Sequence, residues 1–263
     1  MKTALTIAGS DSSGGAGIQA DIKAMSANGV FAMSAITAIT AQNTQGVFGI
    51  QDISPEMIEG QIKAIFDDIN VDAIKIGMVS KIESIKAISK ALKNVNNLPP
   101  IVLDPVMVST SKCKLLSDDA KETLINELFP LAALITPNLP EAEEILGVEI
   151  TNVEEMENAC KELIKLGAKN VLVKGGHLEG DATDVLYTGK KFIYLRHERL
   201  DNKHTHGTGC TLSSAIAAGL AKGMNIEEAV KEGKRYVTVA IEHGFKLGKG
   251  IGPTNHFFEL YNK

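Results

Sequence analysis

A chain of 263 residues, 44% hydrophobic and 22% charged, is long enough to bury a large core without staples and is neither disordered nor collagen-like. Its net charge of −5 argues against nucleic acid as a partner, which would need a basic surface. The 3 cysteines, at positions 113, 160 and 210, form no CxxC pair, so neither a disulfide framework nor a zinc ribbon is expected, and a reducing, cytoplasmic compartment is.

The first apolar run, Ala4 to Ala8, reads as a buried strand and breaks at Gly9-Ser10-Asp11, too early for a signal peptide. Gly14 to Asn28 has helical spacing, with Ile18, Ile22 and Met25 on one face and a stop at Gly29. Val30 to Ile39 is a second apolar run. Ser54-Pro55 opens a helix carrying Ile58, Ile62, Ile65 and Phe66, and Ala73 to Ile76 is a strand. Ser80-Lys81-Ile82-Glu83 fits a capping box ahead of a helix bearing Ile85, Ile88 and Leu92. Ile101 to Leu103 and Leu134-Ile135 are strands ending at Asp104-Pro105 and Thr136-Pro137-Asn138. Asn152 and Glu155 bracket a helix start that runs to Gly167, before the strand Val171 to Val173. A hairpin spans Asp184 to Arg196 and turns at Thr188-Gly189-Lys190, and Cys210 to Gly223 and Ile226 to His243 are helical.

This alternation predicts an α/β fold with a mostly parallel sheet covered on both faces. No linker, repeat or charge block divides the chain, so residues 1–263 are expected to form a single domain. No apolar run approaches the roughly 18 residues that would suggest a membrane span. Ligands of such sheets bind beyond the carboxyl ends of the strands. Those ends read Gly9-Ser10-Asp11, Thr40-Ala41-Gln42-Asn43, Gly77-Met78, Asp104-Pro105, Thr136-Pro137-Asn138 and Lys174-Gly175-Gly176-His177, rich in glycine and in hydrogen-bonding side chains.

Gly15-Ala16-Gly17-Ile18-Gln19-Ala20 has the form of a dinucleotide fingerprint, but no Asp or Glu follows between Asp21 and Asp52 to hold a ribose, which argues against a nicotinamide enzyme. No P-loop is present. The second glycine-rich helix start, Thr205-His206-Gly207-Thr208-Gly209-Cys210, offers unpaired N–H groups and the positive end of a helix dipole to a phosphate. Its other reading is close packing alone. The same dipole is expected to lower the pKa of Cys210 and make it a base or nucleophile, whereas Cys113 and Cys160 fit small buried hydrophobes. His204 and His206 form H-x-H with no third ligand in view, so a loop role is expected. Asp104 and the Asn138-Leu139-Pro140-Glu141 turn carry oxygens suited to Mg²⁺, and either could instead cap a helix.

Four blocks together resemble the ribokinase-like family of small-molecule kinases: Ala4 to Asp21, Ala41-Gln42-Asn43-Thr44, Ile135 to Glu141, and Thr205 to Thr211. Within it they are similar to the hydroxymethylpyrimidine/phosphomethylpyrimidine kinase branch of thiamine biosynthesis, and Lys75 to Met78 and Lys174 to His177 agree. The resemblance spans Ala4 to Pro253. It implies a three-layer α/β/α sandwich and an ATP- and Mg²⁺-dependent homodimeric kinase. Its substrates would be 4-amino-5-hydroxymethyl-2-methylpyrimidine and then the monophosphate. By the same resemblance Asp21 and Gln42 would hydrogen-bond the pyrimidine, with Gly9, Ala16, Met78 and Val106 walling the pocket. Gly207, Gly209 and Cys210 would form the anion hole. Asn138, Lys174, Thr205 and Gly207 would face the nucleotide, and Asp104 and Glu141 the Mg²⁺. Cys210 stands where most of the wider family places an aspartate base. The alternative is a pyridoxine/pyridoxal kinase on the same frame; Gln42-Asn43-Thr44 favours the pyrimidine, because a carboxamide pairs in two directions with an aminopyrimidine edge.

Overall fold

The computed structural model describes residues 1–107, 118–176, 182–197 and 200–261, so Cys113 and His177 lie outside the described residues. Eight strands form the main sheet: β1 (Thr3–Ala8), β2 (Phe31–Ile36), β5 (Ala73–Ile76), β6 (Ile101–Leu103), β7 (Leu134–Ile135), β8 (Val171–Val173), β9 (Ala182–Tyr187) and β10 (Phe192–His197). Their spatial order is β10-β9-β8-β7-β6-β5-β1-β2. Neighbours from β2 through β8 run parallel, and the β9–β10 hairpin is added antiparallel at one edge. β1 therefore has its successor β2 on one side and β5 on the other. That reversal opens a crevice above the carboxyl ends of β1 and β5, where such sheets hold their ligands.

Strand alternation sends Leu5, Ile7, Ile74 and Ile76 to one face of the sheet, and Ala4, Ala73 and Val102 to the other. The first face is covered by α2 (Pro55–Phe66), α3 (Ile82–Lys93), α4 (Asp118–Leu128), α5 (Leu139–Leu146) and α6 (Val153–Lys165). The second is covered by α1 (Gly17–Ala27), α7 (Thr208–Ala221) and α8 (Ile226–Glu242). This is the expected three-layer α/β/α sandwich. A short α9 (Phe258–Tyr261) closes the described chain, in which no helix is long and apolar enough to cross a membrane.

Most elements form where the sequence places them. Ser54 caps α2 by accepting the Met57 N–H, and Asn152 caps α6 by accepting that of Glu155. Three places differ. The run Val30 to Ile39 holds two strands of different sheets: β2 ends at Ile36, and β3 (Ala38–Asn43) leaves to pair antiparallel with β4 (Gly46–Asp52). The stretch at 40–43, expected as the end of a core strand, is thus part of a hairpin packed on one face only. The capping box at Ser80 does not form: Lys81 is the N-cap without a side-chain bond, because the Ser80 hydroxyl donates instead to Asp52. The turn at Asn138 is the start of α5, with a complete capping box between Asn138 and Glu141.

Candidate active site

The first turn of α7 is built around Gly207. Its φ of 81° is left-handed, and a Cβ there would stand 1.8 Å from the Gly15 carbonyl oxygen, so only glycine fits. The Thr208 N–H donates back to Thr205 O at 3.2 Å, while those of Gly209 and Cys210 make no backbone bond among the described residues. Two free donors at a helix N-terminus form an anion nest. It opens toward charge of both signs: a Cβ on Gly209 would lie 3.3 Å from Asp104 Oδ2 and 3.4 Å from Lys174 Nζ.

Asp104 ends β6 and is buried, accepting from Thr136 Oγ1 at 3.0 Å and from Lys174 Nζ at 2.8 Å. Lys174 follows β8 and bridges to Asn138, which brings the ends of β6, β7 and β8 together. Burial opposes charge on Lys174, but Asp104 and Glu141 outweigh it and hold the ammonium above its ordinary range. Glu141 is buried in the capping box, where it accepts the Asn138 N–H at 2.8 Å. Burial first, and Asp104 with it, lift the Glu141 carboxyl to about 7 against the pull of Lys174. Two buried carboxylates sharing one lysine are short of positive charge, and among the described residues no third His, Cys, Asp or Glu joins them in a metal cluster. Such a donor set suits Mg²⁺, which takes one or two carboxylates and leaves the rest of its shell to water and phosphate.

The residues expected to wall a pocket follow the carboxyl ends of β1, β5 and β6 or stand at the start of α1. A Cβ on Gly9 would touch Met78 Sδ at 3.3 Å. Val106 is half-buried beyond β6, its N–H donating to Asp104 O at 2.8 Å. Ala16 is the N-cap of α1. Gln42 sits at a bulge of β3, its N–H donating to Ser12 Oγ at 2.8 Å and its carbonyl accepting from that hydroxyl at 2.7 Å.

Asp21 corrects the expectation of a substrate contact. It is wholly buried, and its carboxylate accepts from Thr6 Oγ1 at 2.6 Å, Ser214 Oγ at 2.7 Å, and Lys75 Nζ at 2.8 Å to each oxygen. With four hydrogen bonds from three donor groups on its two oxygens, no lone pair is left for a pyrimidine. Lys75 is equally buried, and Asp21 keeps it charged above its ordinary range despite burial. Ser214 lies one turn beyond Cys210 on α7, so the ion pair sits beneath the thiol's side of that helix. Cys210 is the second correction. Burial pushes its thiol up to about 11, Lys75 pulls it down, and Asp21 and Asp104 push it up again. Cys160 matches its bland reading: burial lifts its thiol to about 12.

Two residues absent from the expected site organise it. Asp11 accepts the N–H groups of Ser13, Gly15 and Ala16 and the Ser13 hydroxyl, at 2.7–3.2 Å, and its Oδ2 pairs with His206 Nε2 at 2.8 Å. Burial opposes its charge, yet His206 and Ser13 hold the carboxyl down at about 2. The two glycine-rich loops are thereby clamped together. The Asp11-Ser12-Ser13-Gly14 string carries a local turn signal. His206 carries none, since its partner is 195 residues away. Its neighbour His204 packs against the 244–252 loop, in keeping with a loop role.

The phosphomethylpyrimidine kinase family model matches residues 11–255. The chain is similar to the hydroxymethylpyrimidine/phosphomethylpyrimidine kinase of Rhizobium meliloti, at 51% identity over 97% of this chain and 96% of that one. Among solved structures, the phosphomethylpyrimidine kinase of Clostridium difficile 630 is 52% identical, with a TM-score of 0.82 over 92% of this chain and all of that one. A Bacillus subtilis pyridoxal kinase in complex with ADP is 40% identical, with a TM-score of 0.90 over 98% of both chains. With a nest for phosphate beside a lysine and two carboxylates, and a family match over most of its length, the chain belongs to the phosphomethylpyrimidine kinases, phosphotransferases of the ribokinase-like fold.

Proposed function

We propose that the chain transfers the γ-phosphoryl group of ATP to the hydroxymethyl group of 4-amino-5-hydroxymethyl-2-methylpyrimidine, and then a second phosphoryl group to the monophosphate, in thiamine biosynthesis. The observation that carries this reading is the Gly209 and Cys210 N–H nest facing the Lys174–Asp104 pair. A loose phosphoryl-transfer transition state is stabilised chiefly by positioning and by neutralising charge on the moving oxygens. The nest and the Lys174 ammonium supply both. Gly9, Ala16, Met78 and Val106 bound the pyrimidine, and the Gln42 carboxamide reads its edge. Asn138, Lys174, Thr205 and Gly207 face the nucleotide. Asp104 and Glu141 would hold Mg²⁺, which neutralises phosphate charge when bound. Cys210 contributes its N–H; with its thiol raised to about 11, the loose transition state is left to proceed with little base assistance, and the alcohol's proton passes to a phosphoryl oxygen.

The chain acts as one domain, in the cytoplasm and as a homodimer. The exposed apolar residues Ile39, Phe48 and Ile50 of the β3–β4 hairpin support the dimer; the register sets Ile39 and Ile50 on opposite faces of the ribbon, so apolar surface is exposed on both sides of it. The test is product analysis after incubation with ATP, Mg²⁺ and the pyrimidine alcohol, where both monophosphate and diphosphate are expected. Monophosphate alone at long times refutes the second step. The fold similarity to pyridoxal kinase favours one second reading, pyridoxine or pyridoxal as substrate. Equal turnover of pyridoxine in a coupled ADP assay would end the exclusive pyrimidine assignment.

A further inference from the structure

Thr40 is buried on β3 behind the proposed pyrimidine contact Gln42. Its hydroxyl lies 2.8 Å from the Ser10 carbonyl oxygen and 3.1 Å from Oε1 of the Gln42 carboxamide. Two acceptor oxygens thus face one proton. The Ser10 carbonyl can only accept, and it is the nearer, so the proton goes there and Thr40 Oγ1 turns its lone pairs toward Gln42. The two ends of a carboxamide are the same size, and only their partners tell them apart. A half-turn of the Gln42 carboxamide therefore costs no space and removes the conflict: Nε2 donates to Thr40, and Oε1 faces the pocket. The Gln42 backbone does not move with it, because the Ser12 hydroxyl holds both its N–H and its carbonyl.

We infer that Thr40 is a specificity-determining positioning residue, whose hydroxyl, committed to Ser10, orients the Gln42 carboxamide so that its oxygen meets an exocyclic amino group on the substrate. This rests on the reading of Gln42 as the pyrimidine contact. The reverse pattern, a 4-oxo group, would set oxygen against oxygen and leave a buried acceptor pair unbridged. Discrimination between amino and oxo substrates thus depends on a side chain that does not touch either one.

The test is the ratio of kcat/KM for the aminopyrimidine alcohol to that for its 4-oxo analogue. Thr40→Val removes the hydroxyl at nearly constant shape, frees the carboxamide to present either end, and is expected to lower the ratio about tenfold, the worth of one oriented hydrogen bond. The change should fall in KM, with kcat for the amino substrate within about twofold of wild type. Thr40→Ser keeps the hydroxyl and holds the wild-type ratio; should Thr40→Val not fold, Thr40→Ala carries the same test. Gln42→Ala separates the two levels of the argument. If Gln42→Ala lowers the ratio and the hydroxyl-free Thr40 variant does not, the inference about Thr40 is overturned while the Gln42 contact stands. If Gln42→Ala itself leaves the ratio unchanged, the contact fails and the inference with it.

Discussion

At Cys210 a helix dipole and a buried environment act in opposite directions on one thiol. The dipole of α7 favours the thiolate by a fraction of a kcal/mol to about 1 kcal/mol, whereas desolvation of a charged sulfur costs more. With the thiol at about 11, iodoacetamide should label Cys210 at pH 8 about 100-fold more slowly than a free cysteine, with the rate still rising past pH 10. Mass mapping of the alkylated peptides checks this, and labelling at the free-cysteine rate would restore the activated thiol. Cys210→Ser should accordingly keep kcat within about tenfold, because the nest uses the backbone N–H at this position. Asp11 makes the contrasting case. Its carboxyl is held at about 2, below its ordinary 3.8, so the stability it contributes is complete above pH 3.8 and is lost as the pH falls toward 2. Asp11→Asn should cost about 1–2 kcal/mol at neutral pH, after allowance for solvent screening, and should flatten acid unfolding between those values. Equal acid slopes for the two proteins would exclude the clamp.

Single elements acquire their function from how they begin. α7 enters through a left-handed glycine pressed on the Gly15 carbonyl, and α5 through a capping box that spends the Glu141 carboxylate partly on its own N-terminus. Gly207→Ala puts a methyl group 1.8 Å from that carbonyl and requires a backbone that L-residues resist. The loops must separate, and the two free N–H groups lose their aim. We expect kcat to fall at least 100-fold, the cost of losing preorganised donors, with the pyrimidine's Kd changed far less. Calorimetric binding alongside turnover measures both, and an equal loss in the two would mean that the loop as a whole, rather than the nest, had failed. The β3–β4 hairpin behaves differently as an element. Its tip is tied through Thr44, whose carbonyl accepts the Ile251 N–H at 3.1 Å and whose hydroxyl accepts that of Gly250 at 3.1 Å.

For the whole molecule, the exposed apolar side chains of that hairpin are where the proposed dimer contact is expected. Phe48 is 70% exposed on β4, Ile50 is exposed on the same strand, and Ile39 is exposed on the face opposite Ile50, more apolar surface than a solvated two-stranded ribbon needs. Phe48→Ser should shift sedimentation velocity from dimer toward monomer while leaving secondary structure intact by circular dichroism. A monomeric wild type would overturn the dimer, and an unaltered dimer in the variant would place the interface elsewhere. The buried Lys75–Asp21 pair acts at the same scale. It ties β5 to α1, and through Thr6 and Ser214 to β1 and α7, so the floor of the site is one charged network inside an otherwise apolar core. Breaking one partner of such a pair leaves an uncompensated buried charge, so Lys75→Met or Asp21→Leu alone is expected to cost about 3–5 kcal/mol of stability, read from denaturant unfolding.

The alternation of strands and helices, the glycine-rich starts of α1 and α7, and the polar strand ends were legible from local pattern, because propensity, capping and turn chemistry act over a few residues. So was the family resemblance, carried by contiguous blocks. What the linear pattern could not reveal depends on partners far along the chain. Asp21 meets Lys75 after 54 residues and Ser214 after 193, and Asp11 meets His206 after 195. The departure of β3 from the main sheet was hidden because an apolar run does not say which sheet it joins. Burial, decided only when the layers close, turned Asp21 from a substrate contact into a structural ion pair, and the partly buried setting of Cys210 raises its thiol where the local helix start predicts a lowered one, because desolvation is a property of the packed molecule and of no single stretch of it.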